Sequence, residues 1–122
     1  EFGYAFGLKP GQNPYPHMKT YVVSNTLECP RDSEITVARS LQDLDLKGLK
    51  QSVQAPIYLC GGGRFAGSML ALGLIDRVIL KRAPIVLGGG VRLFGDLTNQ
   101  PALRRVRTKT YDNGYLLEEF ET

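Results

Sequence analysis

Three consecutive glycines carry the most specific chemical signal in this sequence. Gly61, Gly62 and Gly63 follow the short apolar run Ile57–Cys60, and a segment with helical spacing begins directly after them. This order indicates a strand, a tight turn and a helix. Glycine leaves no Cβ between the backbone and a ligand, and it also permits positive φ in the turn. Free N–H groups at a helix N-terminus favour an anion such as a phosphate or pyrophosphate, and Arg64 adds a positive charge there.

The same glycines also have a plain structural interpretation. Gly61–Gly63 would then only make a sharp connection between a strand and a helix, and the pattern alone does not separate this from a phosphate site. Cys60, at the end of the predicted strand, has two interpretations as well, because cysteine is more often a small buried apolar residue than a ligand contact. Both pairs of alternatives stay open on these residues alone.

The first half of the chain predicts two strands and a helix. The β-branched and aromatic segment Lys19–Ser24 predicts one strand, and the alternating segment Glu34–Ala38 predicts a second. Ser40 is a candidate N-cap for an amphipathic helix over Leu41–Val53. The strand that leads into the three glycines begins after Pro56.

The second half predicts a long strand and a hairpin. We expect one strand over Ile75–Leu87 with a kink at Pro84, because proline lacks the N–H that a sheet ladder needs. Ala102–Tyr111 alternates with a period of two and predicts a basic strand. Asp112–Gly114 is a strong hairpin signal, and Tyr115–Glu121 is the returning strand. Its glutamates then face the arginines of the basic strand, and such cross-strand pairs tune the register of a hairpin.

Strands that alternate with helices predict an α/β fold with a mixed, mostly parallel sheet that ends in an antiparallel β-hairpin. Ligands of such sheets bind at the carboxyl ends of the strands. Ser24, Asn25 and Thr26 follow the first strand, and Gly61–Phe65 follows the third. Hydroxyl and amide groups beside a glycine-rich helix N-terminus suit a nucleotide.

Composition narrows the class of protein further. The chain has 122 residues, 43% of them hydrophobic and 22% charged, as expected for one globular domain. A net charge of +3 with mostly dispersed basic residues argues against nucleic acid. No apolar run is long enough for a membrane span. Two cysteines and one histidine make neither a disulfide framework nor a zinc site, so we expect a cytoplasmic protein without a metal.

The ordered set of motifs resembles the dihydrofolate reductase-like superfamily, most closely the riboflavin-biosynthesis reductase C-terminal domain branch of the bacterial deaminase-reductase proteins. The resemblance covers nearly the whole chain from Gly3 onward. It is carried, in order, by the segments YVVSNTL, CGGGRF, GLID, LGGGVRLF and TYDNGYLLEEF.

The resemblance implies a homodimeric, NADPH-dependent reductase that transfers hydride to a pteridine-, folate- or riboflavin-precursor-like heterocycle. An activity like that of 5-amino-6-(5-phosphoribosylamino)uracil reductase or dihydrofolate reductase follows from it. A non-catalytic nucleotide-binding or dimerisation module of the same fold is the alternative. No catalytic residue can be assigned in these motifs.

The resemblance also implies which residues would hold the cofactor. The diphosphate would lie against the glycine turn, formed by Gly61, Gly62, Gly63, Arg64 and Phe65. The adenosine ribose and its phosphate would lie along Ser24, Asn25 and Thr26, and Cys60 would line the cavity near the nicotinamide.

The chain departs from the family pattern in two places. Asn25 stands where the family often has arginine, which leaves the choice between NADPH and NADH open. The family also has a further N-terminal third, and Glu1–Phe6 looks like the tail of a helix that would follow it. We therefore expect residues 1–122 to be the C-terminal two-thirds of a single domain. A sheet without its first strand has an open edge, and we expect the last strand, Tyr115–Glu121, to pair there with a second subunit.

Overall fold

A computed structural model describes Lys9 and residues 11–122. The helical tail predicted for Glu1–Phe6 lies outside the described residues. The chain divides into two units, one that ends at Gln54 and one that spans Ala55–Thr122. Each unit is described by itself below.

The first unit contains a pair of parallel strands. Strand β1 spans Thr20–Val23 and strand β2 spans Ile35–Ala38, as the sequence predicts. Val23 lies opposite Ala38, and the Ser24 amide donates a hydrogen bond to the Ala38 carbonyl at 2.9 Å. The residues that follow the two strands therefore lie side by side at the carboxyl end of the pair.

Helix α1 spans Leu46–Ser52, so the prediction of a helix over Leu41–Val53 with Ser40 as its N-cap is wrong. Asp45 is the N-cap, and its carboxylate accepts a hydrogen bond from the Gly48 amide at 2.9 Å. The Ser40 amide instead donates to the Asp43 carboxylate at 2.8 Å. Two aspartates thus hold the local backbone, because aspartate side chains favour turns and N-caps over helix interiors.

The second unit begins with a segment that joins no sheet. Ile57–Cys60, predicted as a strand, forms no strand within the described part of the chain, and Tyr58 is 72% exposed. A β-branched and aromatic run makes an extended chain, but a strand also needs a neighbour for its N–H and C=O groups. Helix α2, Gly63–Ala71, follows, and it buries Gly67, Met69 and Leu70.

Three antiparallel strands complete the second unit. They are β3 (Arg77–Arg82), β4 (Arg104–Thr110) and β5 (Leu116–Glu121), in the spatial order β3-β5-β4. The long strand predicted over Ile75–Leu87 is too long, because β3 ends two residues before Pro84. The mixed α/β class is confirmed, but one of the three described strand pairings is parallel and two are antiparallel.

The predicted hairpin and its charge pairs are confirmed. Salt bridges join Arg104 to Glu121, Arg105 to Glu118 and Arg107 to Glu119 across β4 and β5, and Arg82 of β3 also reaches Glu118 at 3.5 Å. The register shifts between Arg105 and Arg107, which lets these two arginines meet glutamates on opposite faces of β5.

The position of β5 corrects the expected dimer contact. Because β5 lies between β3 and β4, its backbone is hydrogen-bonded on both sides and offers no open edge. Backbone pairing of Tyr115–Glu121 with a second subunit is therefore wrong, while a contact through its apolar side chains Tyr115, Leu116, Leu117 and Phe120 stays a prediction. The homodimer itself stays a prediction.

The hairpin turn supports a first prediction. Gly114 has φ +82°. Its amide donates a hydrogen bond to the Tyr111 carbonyl at 2.9 Å, and the Tyr111 amide donates one to the Tyr115 carbonyl. Gly114→Ala forces a Cβ into left-handed backbone, so we expect a loss of about 1–2 kcal/mol in the free energy of unfolding. Gly114→Asn should lose less, because asparagine tolerates this conformation. Urea denaturation of the three proteins measures this, and equal stability of all three would contradict it.

Candidate functional site: the glycine turn and the turn after the first strand

The three glycines of the predicted phosphate turn are glycines for different reasons. None of them has positive φ, so the turn does not use the left-handed backbone that glycine permits. A Cβ on Gly61 would overlap the Phe65 ring, and a Cβ on Gly63 would overlap the carbonyl oxygen of Arg92. A Cβ on Gly62 would meet nothing within 4 Å. Packing thus requires glycine at two positions, and nothing in the described chain requires it at Gly62.

A second loop explains why packing requires glycine at position 63. The segment Arg92–Leu97 lies directly against helix α2, where a Cβ on Gly67 would overlap the Phe94 carbonyl. Gly95, at φ +56°, faces the backbone of Arg64 in the same way. Backbone therefore packs on backbone along this side of the helix, which fixes the direction of its N-terminus.

The N-terminus of α2 is suited to an anion. Gly62 is the N-cap and provides no side-chain hydrogen bond to the helix. The first amides of a helix have no acceptor within it, and they carry the positive end of the helix dipole. Gly61, Gly62 and Arg64 are exposed. Because a Cβ on Gly62 would meet nothing within 4 Å, an anion could approach these backbone N–H groups, with Arg64 beside it, so the described residues fit this part of a dinucleotide.

Cys60 precedes the turn and is an exposed free thiol. The interpretation of Cys60 as a small buried apolar residue is therefore wrong. A contact between this residue and a nicotinamide stays a prediction. Phe65, on the first turn of α2, is half-buried, and its ring packs over Gly61.

The turn after β1 is held by its own side chain and by one arginine. The Ser24 hydroxyl accepts hydrogen bonds from the amides of Thr26, at 3.4 Å, and Leu27, at 3.1 Å. Arg39 Nη1 donates to the carbonyls of Ser24, at 3.2 Å, and Leu27, at 2.8 Å. Ser24 thus holds the turn, which is the structural alternative considered for it, while Asn25 and Thr26 are exposed.

Sequence reasoning did not select Arg39. A signal for it is nonetheless present, because Ser24 ends the first predicted strand and Arg39 comes directly after the second. Parallel pairing of those strands is sufficient to bring the two residues together. Within the first unit the structure unites Ser24, Asn25 and Thr26 with Arg39, and within the second it unites Cys60 with Gly61–Phe65. The cofactor role of each group stays a prediction.

The described part of the chain was also searched for metal sites, membrane-spanning helices and paired cysteines. No group of three histidine, cysteine, aspartate or glutamate residues in it could hold a metal ion. Within the same residues, no helix has both the length and the apolar character that a membrane crossing requires. Cys29 and Cys60 are both free cysteines.

Comparison with known proteins identifies the family. The RibD C-terminal domain family matches residues 7–117. The chain belongs to this family. The resemblance inferred from the ordered motifs is thereby confirmed. The glycine turn of this chain is therefore part of a reductase-like domain of the RibD type.

Relatives and solved structures agree with this assignment. Two uncharacterized proteins of Bacillus subtilis are similar to this chain. YwjB is 30% identical, and the match covers 80% of this chain and 56% of YwjB. YyaP is 31% identical, and the match covers 79% of this chain and 50% of YyaP. The chain thus spans about half the length of these curated relatives. The structure of a putative riboflavin biosynthesis protein from Shewanella sp. PV-4 has a TM-score of 0.72 at 25% identity and covers 97% of this chain and 66% of that one.

A second solved structure supports the fold alone. A pyrimidine reductase-like protein from Corynebacterium diphtheriae has a TM-score of 0.60 at 21% identity and covers 74% of this chain and 40% of that one. Together with the Shewanella structure, this match confirms the predicted α/β fold as that of RibD-like reductases.

Proposed function

We propose that this chain binds NADPH and belongs to a reductase that transfers hydride to a pteridine-, folate- or riboflavin-precursor-like heterocycle. The observation that carries the proposal is the N-terminus of α2 at Gly62, which has no side-chain cap and where a Cβ would meet nothing within 4 Å. Membership of the RibD C-terminal domain family supports the reductase class. The Shewanella structure is that of a putative riboflavin biosynthesis protein, which supports a riboflavin precursor as the kind of substrate.

In this proposal the chain positions the cofactor. Gly61, Gly62 and Gly63 present backbone amides to the diphosphate, and Arg64 adds charge to the same turn. The turn Ser24–Thr26 lies along the adenosine ribose, and Cys60 lies near the nicotinamide. When bound, NADPH supplies the hydride, so the protein needs to orient two rings and exclude water more than it needs an acid or a base.

The alternative is a non-catalytic nucleotide-binding module of the same fold. The glycine turn would serve such a module as well as it would serve a reductase, because it would bind the nucleotide in both. Binding and turnover must therefore be measured separately.

The test is a titration of the whole chain with NADPH. We expect the melting temperature to rise with cofactor concentration, since a ligand at about 100 times its Kd stabilises the folded state by about 2.7 kcal/mol. Nicotinamide mononucleotide, which lacks the diphosphate and the adenosine, is the control and should give a much smaller rise. No rise with millimolar NADPH would contradict the proposal.

Turnover is then followed as NADPH oxidation with a panel of dihydropterins and ribosylated aminouracils. Oxidation with one member of the panel supports the reductase. Binding of NADPH with no oxidation by any member supports the non-catalytic module.

A further inference from the structure

Glu118 is a charged residue that the antiparallel sheet buries, with only 7% of it exposed. It lies on β5, the central strand of that sheet. Its carboxylate is shared between two arginines, since Oε2 is 3.5 Å from Nε of Arg82 on β3 and Oε1 is 3.4 Å from Nη1 of Arg105 on β4. A carboxylate leaves water only at a cost, so Glu118 depends on both partners. Arg82, Glu118 and Arg105 together form the Glu118 cluster.

The Glu118 cluster carries a net positive charge, because one carboxylate lies between two guanidinium groups. On the opposite face of β5, Arg107 pairs with Glu119 at 3.5 Å, one to one, and that pair is neutral. The two arginine side chains of the cluster are 64% and 62% exposed. Each guanidinium has five N–H donors, more than its contact with Glu118 can use. An anion can therefore reach a guanidinium that is already held in place.

A cavity of about 450 Å³ opens beside this cluster. Its lining contains three apolar residues, Leu80, Leu93 and Phe120, and three charged ones, Lys81, Arg82 and Glu118. Leu80 and Phe120 are half-buried and Leu93 is 55% exposed, so apolar surface remains uncovered along one wall. Small-molecule sites have volumes of about 300–1,000 Å³ and combine apolar walls with a few placed polar groups. This cavity has both properties.

The apolar wall and the charged wall select different parts of a ligand. The apolar wall favours a flat ring, which can pack against the aromatic side chain of Phe120. On the charged side, Nζ of Lys81 lies over the Tyr115 ring, 5.1 Å from its centroid. Arg82 is therefore the cation that a buried carboxylate fixes at this cavity. Arg105 also offsets the charge of that carboxylate, which leaves the charge of Arg82 available to an oxyanion.

We propose that this cavity binds a small aromatic molecule that carries a carboxylate or a phosphate group. The ring packs against Leu93 and Phe120, and the anionic group accepts hydrogen bonds from Arg82. Arg105 is a positioning residue that acts through the Glu118 carboxylate. None of these residues belongs to the glycine turn or to the turn after β1, so the inference does not rest on the proposed function.

The test is a titration of the isotopically labelled chain, followed by the NMR resonances of its backbone amides. Naphthoate and naphthyl phosphate are the anionic probes, naphthalenemethanol supplies the ring without the charge, and inorganic phosphate supplies the charge without the ring. We expect at least one anionic probe, at millimolar concentration, to shift the amides of Leu80 and Phe120 in a saturable way. The neutral ring and inorganic phosphate should bind roughly 10-fold more weakly. The anionic probe with the lower Kd identifies the preferred group.

Arg82→Gln keeps a polar side chain at the cavity and removes its charge. We expect the Kd for the anionic probe to rise about 10-fold, while the Kd for naphthalenemethanol stays the same. Arg82→Lys keeps the charge and should lose less affinity. The matched control is Arg107→Gln, which removes an arginine that is 65% exposed and paired with a glutamate on the opposite face of β5. It should leave every Kd unchanged, and thermal unfolding checks that each variant is folded.

Three results would overturn the inference. The first is the absence of any saturable shift with millimolar anionic probe. The second is a set of shifted amides that lies away from the cavity. The third is an equal loss of charged and neutral probe in Arg82→Gln, which would show an apolar cavity that does not select an anion.

Discussion

Gly63→Ala is expected to destabilise the second unit by about 1–3 kcal/mol and to lower its melting temperature by several degrees. The added Cβ would overlap the carbonyl oxygen of Arg92 and would also crowd the Gly95 amide, at 3.1 Å. Both neighbours are backbone atoms, so a side-chain rotation cannot relieve the contact. Helix α2 or the segment Arg92–Leu97 must move instead, and thermal unfolding followed by circular dichroism measures the cost.

The matched control is Gly89→Ala. Gly89 also lies in a run of three glycines, Gly88–Gly90, but a Cβ there meets nothing within 4 Å, and its φ is not positive. We expect its melting temperature to stay within about one degree of the unchanged chain, since exposed substitutions that touch nothing have small effects. A Gly63→Ala protein as stable as Gly89→Ala would show that the helix does not pack on the loop as described.

Gly62→Val is expected to remove most NADPH binding while it leaves the fold in place. The valine side chain would stand in the open space over the helix N-terminus, where the diphosphate is proposed to reach backbone N–H groups. Loss of those charge-assisted hydrogen bonds should raise the Kd for NADPH at least 10-fold, and up to about 100-fold. The stability cost should be about 1 kcal/mol, because only the N-cap is altered. Fluorescence titration with NADPH measures the first effect, and thermal unfolding measures the second.

Two further variants separate a specific effect from a general one. Gly62→Ala adds a single methyl group and should weaken NADPH binding less than valine. Gly89→Val adds the same side chain to the second glycine run, which the proposal does not use, and NADPH affinity should not change. Unchanged affinity in Gly62→Val would place the diphosphate elsewhere and would contradict the role given to this turn.

Several local elements could be predicted from residue types alone. The start of α2 and the hairpin over Asp112–Gly114 depend on contacts within a few residues, whereas β1 and β2 follow from their β-branched residues but pair with each other across 15 residues. The charge pairs of the hairpin follow from the alternation of each strand once the turn sets the register. The Ser24–Thr26 turn is local in the same sense, since the Ser24 hydroxyl accepts hydrogen bonds from amides two and three residues ahead.

The predicted bounds of other elements were wrong because a neighbouring residue ends or starts the element elsewhere. Helix α1 begins at Leu46 because Asp45 is its N-cap, whereas the sequence analysis predicted Ser40 for that position. Strand β3 ends at Arg82, since the missing N–H of Pro84 interrupts pairing instead of only bending the strand.

The sequence by itself determined the types and the order of the chemical groups: three glycines before a helix, a hydroxyl and an amide after the first strand, and a basic strand facing an acidic one. Tertiary structure alone decided what those groups do. It gave Gly61 and Gly63 packing roles and left Gly62 open, it put β5 between two strands, and it brought Arg39 to the Ser24 carbonyl. The physical reason is that these outcomes depend on contacts between segments far apart in the chain, which periodicity and propensity do not encode.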